Sequence, residues 1–370
     1  MAPSPTTDAD RLARNVLRNC LHLRPKEDLT VETYPTSLPW ATGMVREARR
    51  LGARPLVLYE DESSFWTAVE EGRGRSLGSP GDHEWAALRG TDAYVYFWGP
   101  EDVARRRALP EALQEQIFAY NPKWYQVVSK AGVRGARMTI ARVTERNARI
   151  FGVPVGRWRR QVLAASLEDP ARFRRRGARL RDVLERGRSA RLRHPNGTDL
   201  TLGLAHRKAM VTLGEVTPEM MKVPFGSMTN VPDGTVYVAV DEGTADGTIV
   251  ANLPTTTAFD GNLHGGRLTF RDGRLKRATF ARGGAAWRAP YRAARGGKDR
   301  PSFLEVGLNP SVGDAPLLEE MVAGAVTVGV GRNDGFGGTT KSDFLGYVTL
   351  SGGELSIDGR PVVRAGRFLV

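Results

Sequence analysis

Leu29-Thr30-Val31-Glu32-Thr33-Tyr34 alternates apolar and polar residues and is rich in β-branched ones, the pattern of a strand with two unlike faces. Its flanks set the fold class. Before it, Ala9 to Leu21 has helical spacing. After it, Trp40 to Leu51 does too, and stops at Gly52. Pro55-Leu56-Val57-Leu58-Tyr59 is a short apolar run of the kind buried in parallel sheets. Phe65 to Glu71 is helical again, and Asp92-Ala93-Tyr94-Val95-Tyr96-Phe97-Trp98 is a further strand. Pro100-Glu101 then opens a helical stretch through Leu113 to Ala119. Strand and helix in alternation predict a mostly parallel sheet covered by helices.

The pattern changes along the chain. A helical stretch from Thr144 to Leu184 reads as a bridge between domains. From Ser189 on, short strands are punctuated by turn residues: Pro195-Asn196-Gly197, Pro232-Asp233-Gly234, Asp260-Gly261-Asn262, Arg271-Asp272-Gly273 and Ile357-Asp358-Gly359. These are hairpin signals. The expected fold is an N-terminal α/β domain, residues 1–185, including the helical bridge. A C-terminal domain, residues 186–370, is rich in antiparallel or mixed β-sheet.

A chain of 370 residues with 41% hydrophobic content builds ordinary cores and is not a disordered protein. No apolar run reaches the roughly 18 residues of a membrane span. Met1 to Asp10 lacks the basic-then-apolar order of a secretory signal. Cys20 is the single cysteine, which excludes an internal disulfide and a thiolate-rich metal site. The expectation is a cytoplasmic protein with no membrane partner.

The net charge of +13 is carried mainly by arginine, most densely between Arg172 and Arg193. Such a run is either a surface for an acidic partner or the solvated face of a helix. Arg106, Arg134, Arg159 and Arg160 spread the bias along the chain and favour the solvated face. No RNA-binding aromatic signature or helix-turn-helix accompanies the charge, so nucleic acid is not the expected partner.

Several short segments carry a family resemblance. Leu12-Ala13-Arg14-Asn15-Val16-Leu17, Leu23 to Leu29 and Ala48 to Arg54 form one set. Gly197-Thr198-Asp199-Leu200-Thr201, Asn230 to Tyr237, Gly307-Leu308-Asn309-Pro310 and Gly324 to Gly331 form another. Phe336-Gly337-Gly338, Ile357-Asp358-Gly359 and Ala365-Gly366-Arg367-Phe368 close the series. In this order they resemble the aminopeptidase T/S family, the thermophilic leucyl aminopeptidases, over nearly the whole chain. The resemblance implies that fold and a homodimer. It also implies a two-metal site for Zn or Co, built from Glu, His and Asp, that polarises a peptide carbonyl and supplies a hydroxide.

The ligand positions depart from the family. Its "NxPxGE" glutamate falls on Thr235, and its "TVH" histidine on Thr327. The "HxD" pair falls on Leu345 and Tyr347, or on Phe344 and Gly346 in a register slipped by one. A tyrosine beyond the "TVH" segment falls on Asp334. The glutamate before "GLNP" falls on Phe303 in one alignment and on Glu305 in another. His22, His83, His194, His206 and His264 show no helical metal-clamp spacing. The expectation is therefore no metal and no other cofactor.

Three functional readings follow. The leading one is a catalytically degenerate aminopeptidase-like protein that binds a peptide. It would guide a precursor peptide to modifying enzymes in peptide natural-product biosynthesis. Thr235, Phe303, Thr327, Arg332, Asn333, Leu345 and Tyr347 are its binding candidates. The second is a metal-independent cyclase or amide transferase, with Glu305, Asp334, Asp343 and Tyr347 as acid–base candidates and Lys341 beside them. The third is an active metallo-aminopeptidase with relocated ligands.

Overall fold

The computed structural model describes residues 7–204, 206–222, 226–256 and 262–370. The chain forms two compact units. One comprises Met1–Pro170 and Gly214–Pro232, the other Ala171–Leu213 and Asp233–Val370. The expected break near 185 instead falls inside a helix of the second unit. The chain changes unit at 170/171, at 213/214 and at 232/233.

The first unit holds a parallel sheet of β1 (Asp28–Thr33), β2 (Arg54–Tyr59), β3 (Ala93–Phe97), β4 (Arg134–Met138) and β8 (Met228–Val231), in the order β2-β1-β3-β4-β8. Helix α1 (Asp8–Asn15) starts at a capping box. The Thr7 hydroxyl accepts the Asp10 amide at 3.2 Å, and the Asp10 carboxylate accepts the Thr7 amide at 3.1 Å. Its buried Leu12 and Ala13 pack toward α2 (Leu38–Arg50). Gly43 of α2 allows this approach, since a Cβ there would collide with the Ala9 backbone. The other sheet face carries Tyr94 and Tyr96. It meets Trp85 and Leu88 of the helix Asp82–Arg89 and Trp124 and Val128 of the helix Asn121–Ala131.

Three expectations are corrected here. Pro55–Tyr59 is not a buried central strand. It lies at the sheet edge with only β1 beside it, and Leu56 and Tyr59 are 48% and 52% exposed. An apolar run alone does not distinguish an edge from a centre. The stretch from Glu101 to Ala119 is not one helix. It breaks into Val103–Arg107 and Glu111–Ile117, because Pro110 has no amide to continue the ladder. The bridge is likewise three helices, Glu145–Phe151, Val155–Ser166 and Ala171–Arg186. Only the last belongs to the second unit.

The second unit is two antiparallel sheets. The larger runs β12-β11-β10-β6-β5-β16-β17-β18, from β5 (Ser189–His194), β6 (Thr198–Gly203), β10 (Asp246–Val250), β11 (Arg267–Arg271), β12 (Arg274–Thr279), β16 (Glu354–Ile357), β17 (Arg360–Arg364) and β18 (Arg367–Phe368). The smaller runs β15-β14-β13-β9-β7, from β7 (Met210–Thr212), β9 (Thr235–Ala239), β13 (Pro301–Gly307), β14 (Val326–Gly331) and β15 (Leu345–Leu350). Leu200, Ile249 and Phe270 of one sheet and Val236, Leu304 and Val328 of the other share one core. Phe173, Leu180 and Leu184 of the arginine-rich helix join it. That helix thus buries one stripe and turns most of its arginines outward, the solvated-face reading of the charge run.

The turn residues act as read at three hairpins. Asp272-Gly273 and Asp358-Gly359 take positive φ at both positions, the geometry of a tight hairpin turn. Pro195-Asn196-Gly197 joins β5 to β6. Pro232-Asp233-Gly234 is not a hairpin, since the chain there passes from β8 to β9 in a different sheet. Asp260-Gly261 lies outside the described residues.

Candidate functional site

Strand alternation gathers most of the sequence-derived candidates on one face of the smaller sheet. Val236, Val238, Leu304, Val306, Val326 and Val328 point into the core. Their neighbours in the chain therefore point the other way. These are Thr235 and Tyr237 on β9, Phe303 and Glu305 on β13, Thr327 and Gly329 on β14, and Leu345, Tyr347 and Thr349 on β15. Register puts Tyr237, Glu305, Thr327 and Thr349 in one row across four strands.

The face has a polar end and an aromatic end. At the polar end the Thr212 hydroxyl donates to Asp233 at 2.7 Å and lies 3.0 Å from the Thr235 hydroxyl. Thr235 in turn is hydrogen-bonded to Glu305. Burial pushes the Glu305 carboxyl up to about 8, the Thr235 bond opposing and the nearby Asp233 charge adding to the rise. Burial likewise pushes Tyr237 up to about 12, with Glu305 and Asp233 adding to it. Thr327 is fully buried and spends its hydroxyl on Thr349 at 2.9 Å.

At the aromatic end, rings fill the space. Phe303 lies 4.7 Å from Phe336 and 6.3 Å from Tyr347 between ring centroids, and Tyr237 meets Phe336 edge-on at 5.5 Å. Phe303 and Tyr347 are both buried. Gly329 makes room for Phe303, since any Cβ there would run into its ring.

The remaining candidates lie off this face. Asn333 is fully buried and acts as a brace. Its amide nitrogen donates to Glu242 at 2.8 Å and to the Ser302 carbonyl at 3.3 Å, and its oxygen accepts the Thr340 amide at 2.7 Å. Glu242 anchors the same turn through Arg207, at 2.9 and 2.8 Å. Burial opposes its ionisation, but Arg207, the Thr339 amide and Asn333 bring it down to about 2. Arg332 and Asp334 are exposed and face each other at 3.9 Å. Asp343 is exposed and accepts from the Arg295 backbone and guanidinium at 3.2 and 3.3 Å, which lowers its pKa. The structure thus unites Thr235, Phe303, Glu305, Thr327, Leu345 and Tyr347, and leaves Asp334 and Asp343 in surface ion pairs. Sequence reasoning missed Thr212, Tyr237 and Phe336 as members of the cluster. Only Tyr237, two residues beyond Thr235, carried a signal in its strand alternation.

Residues 161–297 match the model of the thermophilic metalloprotease family M29. The chain has an aminopeptidase T-like fold. Its fold is similar to that of AmpT from Thermus thermophilus, with a TM-score of 0.70 and 19% identity over 98% of this chain and 99% of that one. It is also similar to the 2,5-dihydroxypyridine dioxygenase of Pseudomonas putida KT2440. There the TM-score is 0.60 and the identity 17%, over 100% of this chain and 99% of that one. At these identities the likeness is one of fold. No curated relative matches by sequence. The stretch that matches the family model takes in Thr235, while Glu305, Thr327 and Tyr347 lie beyond it. Among the described residues no helix is long and apolar enough to cross a membrane.

Proposed function

We propose that this chain is an aminopeptidase-like protein that binds a peptide without hydrolysing it. The observation that carries this reading is the content of the sheet face where the family's ligands fall. Thr235, Thr327 and Leu345 stand there, and Phe303, Phe336 and Tyr347 pack beside them.

Divalent ions need several carboxylate, imidazole or thiolate donors at about 2.0 to 2.6 Å. Threonine hydroxyls and a leucine do not meet that need. Asp233 and Glu305 are the carboxylates of the cluster, and burial pushes the Glu305 carboxyl up to about 8. Among the described residues no group of three or more His, Cys, Asp or Glu is placed to hold a metal ion. The residues do not fit the family's two-metal group. The peptide itself is argued from the fold alone, whose relatives include an aminopeptidase-type structure. A precursor peptide passed to separate modifying enzymes is the setting this reading favours. A homodimer belongs to the same proposal and is read by light scattering.

The test is to supplement the purified protein with Zn and Co, wash it, and measure bound metal by plasma mass spectrometry. Peptides incubated with it are followed by mass. The expected result is sub-stoichiometric metal, saturable peptide binding and unchanged peptide mass. Two metal equivalents per chain, with chelator-sensitive release of N-terminal residues, would overturn the reading in favour of relocated ligands. A peptide mass change that Tyr347→Phe abolishes would establish a metal-independent modifying enzyme instead.

A further inference from the structure

The first unit has a cavity of its own at the carboxyl ends of its parallel strands. In the order β2-β1-β3-β4-β8, the chain leaves β1 toward one side for β2 and then crosses to the other side for β3. The connections diverge there, and in open α/β sheets that crevice is where ligands bind.

Strand register places one row of functional side chains across this end. Glu32 on β1 pairs with Tyr96 on β3, Tyr96 with Arg137 on β4, and Arg137 with Asn230 on β8. All four line one cavity of about 450 Å³, with Trp98, Tyr120 and Trp124 around them. Adjacent strands lie about 4.8 Å apart, so the backbones at Glu32 and Arg137 stand about 10 Å apart along the row.

The two ends differ in charge. Glu32 and Tyr96 also line an adjoining cavity of about 140 Å³, together with Glu60 and Glu84. Glu32 is hydrogen-bonded to the Tyr94 hydroxyl. Burial pushes its carboxyl up to about 8, and the charges of Glu60 and Glu84 push in the same direction. Arg106 lines the smaller cavity too, but stacks on Phe118 at 5.3 Å. At the other end the Arg137 guanidinium lies over the Tyr125 ring at 5.8 Å and donates to its hydroxyl, with the exposed Asn230 amide beyond it.

We propose that this cavity binds a small zwitterion with an apolar body, a free amino acid or a dipeptide. Its ammonium would meet Glu32, its carboxylate Arg137 and Asn230, and its side chain the rings of Tyr96, Trp98, Tyr120 and Trp124. The cavity suits the ligand. Glu32 and Arg137 both line the same cavity of about 450 Å³, room for a ligand of amino-acid or dipeptide size held by two charge-assisted hydrogen bonds. Aromatic faces favour both the apolar body and the ammonium. An incoming ammonium would place a positive charge beside Glu32, where the charges of Glu60 and Glu84 already add to the negative potential. This site lies wholly within the first unit, so it stands or falls separately from peptide binding in the second.

The test is calorimetry and tryptophan fluorescence on the full chain, since Trp98 and Trp124 line the cavity. The probes are L-phenylalanine, the Phe-Phe dipeptide, phenylalaninamide and N-acetylphenylalanine. Saturable binding of phenylalanine or the dipeptide is expected, and their ratio tells a free amino acid from a chain fragment. Removing either charge of the ligand should weaken binding roughly tenfold or more, the worth of a charge-assisted hydrogen bond. Arg137→Met should abolish the preference for phenylalanine over its amide, and Glu32→Gln the preference over the N-acetyl form. Asn230→Ala, at an exposed position, should weaken carboxylate-bearing probes with folding unchanged. Equal affinity for phenylalanine and its amide would overturn the proposal. So would the lack of saturable binding by any probe at about 10 mM.

Discussion

Glu32 on β1 and Glu305 on β13 share one local chemistry. Burial pushes each carboxyl up to about 8, and each is hydrogen-bonded to a hydroxyl, of Tyr94 and of Thr235. Their surroundings are opposite. Glu32 faces a cavity of about 450 Å³ with a guanidinium two strands away. Glu305 shares its sheet face with the packed rings of Phe303 and Tyr347, and the Asp233 charge adds to its rise. A neutralised buried carboxyl is thus not a site in itself. Free volume and a complementary charge make the difference, and here Glu32 in the first unit has both.

The largest expected effect comes from emptying the closed face. Phe303→Ala should destabilise the protein by about 3 to 5 kcal/mol, the cost of deleting a buried aromatic ring, read from the denaturant midpoint. A cost under about 1 kcal/mol would show that the face is open, and would erase the contrast with Glu32. Gly329→Ala tests the same packing from the backbone side. Its Cβ would collide with the Phe303 ring, so a loss of about 1 to 3 kcal/mol is expected. The pair Phe303→Ala with Gly329→Ala should cost less than the sum of the two, because the first change removes the clash in the second.

A pH profile of stability sharpens what the two glutamates have in common. Their folded pKa values lie above the ordinary 4.5, so the native state holds the proton more tightly than the unfolded chain. That contribution is complete below about 4.5 and is lost as pH rises through about 8. Stability should therefore decline from about pH 5 to about pH 9. Glu305→Gln should flatten part of the decline and Glu32→Gln another part. A profile unchanged by both would refute the shared chemistry. The smallest effect belongs to the surface: Asp343→Ala, which removes the exposed pair with Arg295, should shift stability by no more than about 0.5 kcal/mol. A large loss of any peptide-modifying activity in that variant would instead revive Asp343 as a catalytic group.

Much of the fold was legible because its signals are local. The alternation in Leu29–Tyr34 and the Asp-Gly turns at 272–273 and 358–359 each depend on a few adjacent residues. The closed face was half legible. Motif order named Thr235, Phe303, Thr327 and Tyr347, but Phe336 joined them only because its turn folds back over β13. Strand β4, Arg-Gly-Ala-Arg-Met, has too few apolar residues to announce itself. Without it, neither the sheet order nor the place of Arg137 could be foreseen.

The sequence by itself determined that an α/β half precedes a β-rich half, and that positions 235, 327 and 345 carry hydroxyl and apolar side chains. Those are properties of residue type and short-range period, which survive without knowledge of the partners. Tertiary structure decided that Pro55–Tyr59 is an edge strand and that Phe303, Phe336 and Tyr347 pack together. It also decided that Glu32, Tyr96, Arg137 and Asn230 form one row. Strand order, register and enclosed volume arise from pairing between distant segments, and no local pattern in the chain encodes them.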